Sequence, residues 1–302
     1  MRLGGPIFKP TNSIEEIITE HRRIGFGAAY CTQYISDNSE RDEYKAAFKE
    51  ADILIAEYPA YCINILDTDP AIKNKNKDEI CDRLSKADEM GAICCVMHGG
   101  SIETGGWGSA CKENLSERSF FETVVTIQSI IDRVKPKTTK LVMETESYLF
   151  PDSPEVYARL INAVDRTEFA VHLDPVNIIS SPRRYYFNGD FIKRCFAILG
   201  DYIVSCHAKD FNMAPIYPTV KIDETFIGDG ILDYSVYLNE ILKMRKQPTL
   251  MIEHLNEAQL VRGVNYIFKQ AAEMGLTFEG SQHREQLSED GASTEYFAPH
   301  LT

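Results

Sequence analysis

The sequence has no long apolar run, no paired-cysteine motif and only one tryptophan. No segment approaches the roughly 20 apolar residues that a membrane-spanning helix needs, so we expect no contact with a membrane. The eight cysteines are scattered, without CxxC or zinc-ribbon spacing, which predicts reduced thiols in the core. The N-terminus also lacks the basic and then apolar pattern of an export signal, so we expect a cytoplasmic protein.

Basic residues are few as well. The 302 residues include 32 Lys and Arg against 45 Asp and Glu, a net charge of −13. A surface with this excess of negative charge repels a phosphate backbone, and no basic stripe interrupts it. The composition therefore argues against a nucleic acid as partner.

Short apolar runs alternate with longer amphipathic segments about eight times, which is typical of parallel strands joined by helices. The predicted strands are Leu3–Phe8, Gly27–Thr32, Ile53–Ala60, Ala92–His98, Lys140–Glu144, Phe169–Asp174, Ile203–His207 and Thr249–Glu253. The predicted helices include 13–24, 78–90, 117–134, 154–164, 191–199, 234–244 and 257–274. An open doubly wound sheet usually has a glycine-rich turn after its first strand, and none is present. The pattern predicts an α/β protein with a (β/α)8 TIM barrel fold and a single domain.

The barrel is predicted to comprise residues 1–275. From about Leu276 the chain becomes polar and acidic, and we interpret residues 276–302 as a C-terminal extension that packs on the barrel or on a neighbouring subunit.

Each of the last four predicted strands ends on a residue that can bind a metal ion. These residues are Glu144, Asp174, His207 and Glu253. In a TIM barrel the carboxyl ends of the strands meet at one mouth, where the active site lies. A lone carboxylate there is more often a helix cap, but three carboxylates and an imidazole buried together without a cation are costly. The donor set suits one divalent ion, Mn²⁺ first, with Mg²⁺, Co²⁺ or Zn²⁺ as alternatives.

Several motifs resemble those of the xylose isomerase-like, sugar phosphate isomerase/epimerase superfamily, over roughly Leu3 to Gly275. They are Val142-Met-Glu144, His172-Leu-Asp174-Pro175, His207-Ala-Lys209-Asp210, Gly228-Asp-Gly-Ile-Leu-Asp233 and Ile252-Glu253-His254. The resemblance implies a (β/α)8 barrel with a Glu, Asp, His, Glu metal site in this chain order.

The same resemblance extends to ketose 3-epimerases, in which two metal-bound glutamates also move the proton. It implies that Glu144 and Glu253 are the catalytic acid/base pair and that the substrate is a small carbohydrate. Those epimerases have a histidine three residues after the aspartate ligand and an arginine six after the histidine ligand. This chain has Asn177 and Met213 there, so its substrate contacts must differ.

Other activities remain open at this point. C-glycoside deglycosidase catalytic subunits are similar and imply a lyase that acts on 3-keto-glycosides by β-elimination. We expect a homo-oligomer, or a hetero-oligomer with a small partner subunit if the protein is a lyase. A phosphodiesterase of the endonuclease IV kind shares the barrel but clusters three zinc ions with extra histidines, and the seven histidines and the negative net charge argue against it. A metal-free binding protein is the remaining alternative.

Three further residues are expected to face the mouth. By strand alternation His172 points inward, either to hydrogen-bond a metal ligand or simply as a core histidine. Glu146 and Lys209 each lie two residues beyond a predicted ligand. Lys209 is expected either to contact substrate, stabilising an enolate or a phosphate, or to form a structural ion pair.

Substrate contacts are also expected near the fourth strand. His98 ends that strand and leads into a glycine-rich loop that carries Trp107. The tryptophan is expected to be a platform for a sugar ring on a lid, or to attach the loop to the barrel. Weaker candidates for substrate contact are Tyr58, Asn177 and Arg184.

Overall fold

Eight parallel strands form a closed barrel in the computed structural model, which describes residues 1–9, 13–103, 106–214, 219–285 and 287. The barrel strands are β1 (Leu3–Gly5), β2 (Ala28–Tyr30), β3 (Leu54–Ala60), β4 (Cys94–Met97), β5 (Lys140–Glu144), β6 (Phe169–Leu173), β7 (Ile203–Ala208) and β10 (Thr249–Ile252). The order around the barrel follows the chain, and β10 closes on β1. The prediction of a (β/α)8 barrel is confirmed.

Helices surround the strands. They are α1 (Ile14–Ile24), α2 (Asn38–Glu50), α3 (Pro70–Met90), α4 (Glu117–Val134), α5 (Pro154–Val164), α6 (Pro182–Tyr186), α7 (Asn188–Leu199), α8 (Tyr234–Lys243) and α9 (Glu257–Glu273). Side-chain caps begin several of them. The side chain of Ser153 accepts a hydrogen bond from the backbone N–H of Val156, and Asn256 and Gln259 form a capping box.

Some helices differ from the sequence prediction. Helix α2 was not predicted, because it is mostly polar and buries only Tyr44 and Phe48. Helix α3 begins at Pro70 rather than at residue 78, since Asp69 caps it and the polar residues of its first turns hide the helical period.

Two further strands lie outside the barrel. Strands β8 (Asp210–Met213) and β9 (Ile222–Thr225) pair antiparallel, and we call them the ribbon. The ribbon was not predicted. It follows directly after β7, so it lies at the mouth of the barrel.

The apolar core has two layers. The larger layer lies between strands and helices, and small groups such as Val96, Val142 and Ala170 fill the barrel itself. Gly4 permits this filling, because a β-carbon there would lie 2.6 Å from the sulfur of Met251. The side chain of Met251 therefore closes the barrel below the mouth.

The described beginning of the C-terminal segment packs against the opposite end of the barrel. The backbone N–H of Glu279 donates to the carbonyl of Met1 at 3.0 Å, and the ring of Phe278 packs edge-on against Phe268. Residues 286 and 288–302 lie outside the described part, so the boundary at 275 stays a prediction. Within the described ranges, no helix has the length and apolar character to cross a membrane.

Candidate metal centre

Four residues with metal-binding side chains meet at the mouth of the barrel. Glu144 ends β5, Asp174 follows β6, His207 lies near the end of β7 and Glu253 follows β10. One ligand atom from each lies within 4.8 Å of the others. We call these four residues the rim cluster. They are the four predicted from the sequence.

His207 is central in the rim cluster. Its Nδ1 lies 3.0 Å from Glu253 Oε2, 3.2 Å from Glu144 Oε1 and 3.5 Å from Asp174 Oδ2. Burial alone would lower the pKa of His207, but the surrounding carboxylates raise it well above its usual value. One imidazole nitrogen thus faces three carboxylates.

Two carboxylate oxygens of the rim cluster are buried without a directed hydrogen bond. Asp174 Oδ1 accepts from the backbone N–H groups of Val176 and Asn177 at 2.9 and 3.2 Å, which leaves Oδ2 to face the cluster. Oδ2 of Asp174 and Oε2 of Glu253 accept no such bond. Both oxygens have ion-pair contacts with Lys209, but three carboxylates carry more negative charge than one lysine offsets, and a cation among them would compensate the excess. The residues present therefore fit a divalent metal ion.

Lys209 lies against the rim cluster. Its Nζ is 2.8 Å from Glu253 Oε2 and 3.0 Å from Asp174 Oδ2, and its side chain is 1% exposed. Burial alone would lower the pKa of Lys209, but the carboxylates of Asp174 and Glu253 raise it well above its ordinary value. The ion pair, one of the two expectations for Lys209, is thus present.

Asn177 bridges the lysine and a carboxylate of the cluster. Its Nδ2 donates to Glu144 Oε1 at 2.9 Å, and its Oδ1 accepts from Lys209 at 3.2 Å. The amide of Asn177 thus contacts two charged groups of the site.

A second buried group lies one layer deeper in the barrel. Glu57 accepts hydrogen bonds from the Ser205 hydroxyl and the Tyr61 hydroxyl, and its Oε1 lies 3.0 Å from His172 Nε2. Its Oε2 lies 3.5 Å from His207 Nε2. We call Glu57, His172 and Ser205 the deep cluster. His172 therefore contacts a residue that in turn faces His207, and its ring packs edge-on against His207 at 4.1 Å.

Glu57 was not predicted from the sequence. Burial alone would raise its pKa, but the attraction of His172 and His207 lowers it to about 2. The signal was a single carboxylate inside the apolar run Leu54–Ala60. Such a residue is almost never fully buried unless it is paired.

His98 lies beside Glu144 and between two aromatic rings. Its Nε2 is 3.2 Å from Glu144 Oε2. Its ring stacks on Trp107 at 4.2 Å and on Tyr61 at 5.1 Å. Trp107 thus attaches its loop to His98, although residues 104 and 105 of that loop lie outside the described part.

His254 lies beside Glu253, and no role was predicted for it from the sequence. Its Nε2 lies 3.5 Å from Glu253 Oε1 and its Nδ1 lies 3.0 Å from Glu224 Oε2, on the ribbon. His254 has φ +57°, a left-handed conformation that is strained for a residue with a β-carbon. Each glutamate of the rim cluster therefore points one oxygen towards His207 and the other towards a further histidine.

A cleft of about 410 Å³ opens beside the rim cluster. Residues 146–148, 176–177 and 179–180 and the ribbon contribute to its walls, and none of the four rim residues lines it. Glu146 is one of its lining residues. Burial, together with the negative charge of Glu144, raises the pKa of Glu146 to about 7.

Two of the weaker candidates are not brought to the rim cluster. Tyr58 is buried in the layer between barrel and helices. Arg184 donates to the carbonyl of Ile178 at 2.6 Å and lies over the ring of Phe191. Glu57, the residue before Tyr58, points into the barrel instead.

Comparison with known proteins agrees with this architecture. The sequence model of xylose isomerase-like TIM barrel proteins matches residues 18–278. No curated protein matches the sequence.

Among solved structures, endonuclease IV from Thermus thermophilus is similar with a TM-score of 0.69 and 13% identity, covering 90% of this chain and 100% of that chain. D-psicose 3-epimerase from Clostridium cellulolyticum is similar with a TM-score of 0.63 and 11% identity, covering 92% and 100%. The 3-keto-D-glucoside 4-epimerase from E. coli has a TM-score of 0.62 and 15% identity, covering 90% and 99%. At such identities the shared property is the fold.

Proposed function

Because the chain belongs to the xylose isomerase-like TIM barrel family, we propose that it is a divalent-metal-dependent sugar isomerase or epimerase. The observation that carries this proposal is the rim cluster, in which four ligand atoms lie within 4.8 Å of one another. Two of its carboxylate oxygens are buried without a directed hydrogen bond. The three carboxylates also carry more negative charge than Lys209 offsets, and this excess supports a cation site.

The rim cluster would hold the ion, with Mn²⁺ as the first candidate. When bound, such an ion polarises a carbonyl and a neighbouring hydroxyl of a keto-sugar and so acidifies the adjacent C–H bond. Glu144 and Glu253 are then the proton carriers: one removes the proton and the other returns it from the opposite side.

The surrounding residues position these two carboxylates. His98 and His254 hold the outward oxygens, at 3.2 Å from Glu144 Oε2 and 3.5 Å from Glu253 Oε1. Lys209 offers a positive charge 2.8 Å from Glu253, where it can offset charge that develops on the substrate.

The cleft favours a second candidate, a lyase that acts on 3-keto-glycosides. Removal of the proton at C2 of such a substrate can be followed by breaking of the C1–O bond, which forms a C1–C2 double bond and releases the aglycone. The first step is the same as in epimerisation. A leaving group needs space beside the sugar, and the cleft of about 410 Å³ provides it.

The test of the reaction uses Mn²⁺-loaded protein with free ketoses and with 3-keto-glucosides in D₂O. We expect solvent deuterium to enter the carbon next to the carbonyl, as followed by NMR. Exchange without release of the aglycone favours epimerisation, and release favours the lyase. Absence of exchange in every substrate would contradict proton abstraction at this site.

The test of the metal needs no substrate. At 100 times its dissociation constant, Mn²⁺ should raise the melting temperature by about 5 °C, since a ligand that binds only the folded state stabilises it. Asp174→Asn should abolish this shift, whereas Asp223→Asn, a carboxylate on the ribbon, is the matched control and should keep it. An equal shift in both variants would remove Asp174 from the metal site.

A further inference from the structure

The outer side of helix α4 carries an apolar stripe. Phe121 is 57% exposed, and Val125, one turn further along the helix, is 64% exposed. Among the residues that the structure describes, no other helix has two large apolar side chains that are exposed. Ser129 continues the same side without a charge, so the stripe is neutral over about two turns. Contiguous exposed apolar surface indicates a binding surface, whereas single exposed apolar residues do not.

A groove runs beside this stripe, between α3 and α4. It has a volume of about 380 Å³. Lys73 and Lys77 line it from α3, and Phe121, Val125 and Ser129 line it from α4. The same face thus offers a ridge of two apolar side chains and a groove next to it. A surface with both features can pack on a copy of itself, since two-fold packing uses the same patch on both copies.

The order of side chains along α4 suits such two-fold packing. An axis that passes through Val125 pairs α4 with α4 of a second copy in antiparallel orientation. Residues at equal distances before and after Val125 then face each other. Phe121 faces Ser129 of the second copy, so a large ring meets a small side chain, and Val125 meets its own equivalent. The stripe is therefore complementary to itself in size.

The charges at the two ends of α4 are complementary in the same register. Arg118 faces Asp132 of the second copy, and Glu117 faces Arg133 of the second copy. Within one chain these four residues have ion-pair partners, yet their side chains are 54–79% exposed and can reach a neighbour. Exposed pairs of this kind add little affinity, but they select one register over others.

The size of the face sets the expected strength of the contact. Helix α4 has 18 residues and is therefore about 27 Å long. Together with the adjoining side of α3 the face is about 20 Å wide, because packed helices lie about 10 Å apart. Two such faces would bury on the order of 1,000 Å², which is at the low end for specific interfaces. We expect a dissociation constant on the order of 10 µM.

We propose that the exposed face of α4, with the groove beside it, binds a second copy of this chain in a two-fold dimer with antiparallel α4 helices. The side chains of Phe121 and Val125 are the centre of the contact, and the charged residues at the ends of α4 fix its register.

The first experiment measures the mass of the full chain by sedimentation velocity. Between about 1 and 200 µM the 34.2 kDa monomer should shift to a dimer. Val125→Glu brings two negative charges to the axis, so the dissociation constant should rise about 100-fold while the circular dichroism spectrum stays unchanged. Tyr186→Glu is the matched control, since Tyr186 is 65% exposed on α6. A wild type that stays monomeric, or a dimer that Val125→Glu leaves intact, would overturn the proposal.

The second experiment tests the register through charge reversal. Arg118→Glu and Asp132→Arg should each raise the dissociation constant about fivefold, because each puts like charges opposite each other at both ends of the contact. The double variant exchanges the two charges and should return to within about twofold of wild type. A double variant that dimerises more weakly than either single variant would contradict the antiparallel register.

The third experiment locates the contact directly. Val125→Cys, treated with a short bismaleimide, should give a covalent dimer in which mass spectrometry finds position 125 linked to position 125. Wild type controls for the exposed Cys62 and the half-buried Cys111, and Tyr186→Cys controls for chance collisions. Links from position 125 only to Cys62 or Cys111 would overturn the two-fold contact. None of these measurements requires a substrate or a metal ion, so they test the surface independently of the proposed reaction.

Discussion

The rim cluster and the deep cluster meet at His207 but differ in the number of carboxylates that they bring together. In the deep cluster, Glu57 is fully buried and is bonded or paired to Ser205, His172 and Tyr61, with His207 Nε2 at 3.5 Å. In the rim cluster, three carboxylates face one nitrogen of His207, and Lys209 lies 3.0 Å from Asp174 Oδ2 and 2.8 Å from Glu253 Oε2. Glu57 and the three rim carboxylates occupy neighbouring layers of one barrel.

This difference predicts which cluster holds side chains in position and which cluster takes part in the reaction. A carboxylate whose oxygens are all engaged holds its neighbours in place, and Glu57 in this way orients His207 so that Nδ1 faces the rim. Three buried carboxylates that share one lysine and one imidazole leave an excess of negative charge, which is costly unless a cation binds there. We therefore expect changes in the rim cluster to alter activity and changes in the deep cluster to alter stability.

The largest expected effect is that of Glu253→Gln. The amide cannot accept or return a proton, so exchange into substrate should fall by about 10²–10⁴-fold while the circular dichroism spectrum stays unchanged. Glu168→Gln, at the opposite end of the barrel, is the control. Retained turnover in the Glu253 variant would remove this residue from the mechanism.

Glu57→Gln should act on stability first. The amide leaves His172 without its buried negative partner and removes the one that faces His207 Nε2, so the free energy of unfolding should drop by about 3 kcal/mol in urea titrations. Affinity for Mn²⁺ should fall about 10- to 100-fold, because His207 loses the residue that orients it. If the Glu57→Gln variant kept wild-type stability but lost turnover completely, the distinction between the two clusters would be contradicted.

The smallest expected effect is that of Asp88→Asn, which changes a hydrogen-bonded carboxylate far from the rim cluster. Asp88 accepts hydrogen bonds from the backbone N–H groups of residues 137–139, ahead of β5. Burial alone would raise its pKa, but these bonds lower it below the usual value. Asp88→Asn should therefore cost about 1 kcal/mol of unfolding free energy at pH 7, since this carboxylate is partly exposed.

The pH dependence of that difference follows from the sign of the shift. A lowered pKa in the folded state stabilises the protein above the ordinary pKa of aspartate, and the stabilisation is lost as the pH falls through the lower, folded value. Chemical unfolding at pH 7 and at about pH 2.5 should show the difference between wild type and Asp88→Asn shrinking in acid. A constant difference would mean that Asp88 acts through its shape alone.

Much of the barrel could be predicted from the sequence because the apolar period and the strand ends are local signals. The four rim residues were predicted for the same reason: each follows a buried strand, and parallel strands place their ends at one mouth. Helix α2 and the ribbon escaped prediction, since α2 buries little and the strands of the ribbon are short and polar.

The directions in which Glu57 and Tyr58 point could not be predicted from the local sequence. Between β2 and β3 the register shifts, so that Ala29 pairs with Ile55 but Tyr30 pairs with Glu57. A bulge of this kind changes which side chains face inward. It directs Glu57 into the barrel and Tyr58 towards the helices, and strand alternation alone does not indicate it.

By itself the sequence determined the fold class and the identity of the rim residues. The apolar pattern of each strand and the residue type at its end can both be read from a short stretch of sequence. Only the tertiary structure decided which oxygens are engaged, that His254 and Glu224 meet beside Glu253, and that a cleft with acidic walls adjoins the site. The physical reason is that these features depend on register, backbone strain and the packing of segments far apart in the chain, which no local pattern encodes.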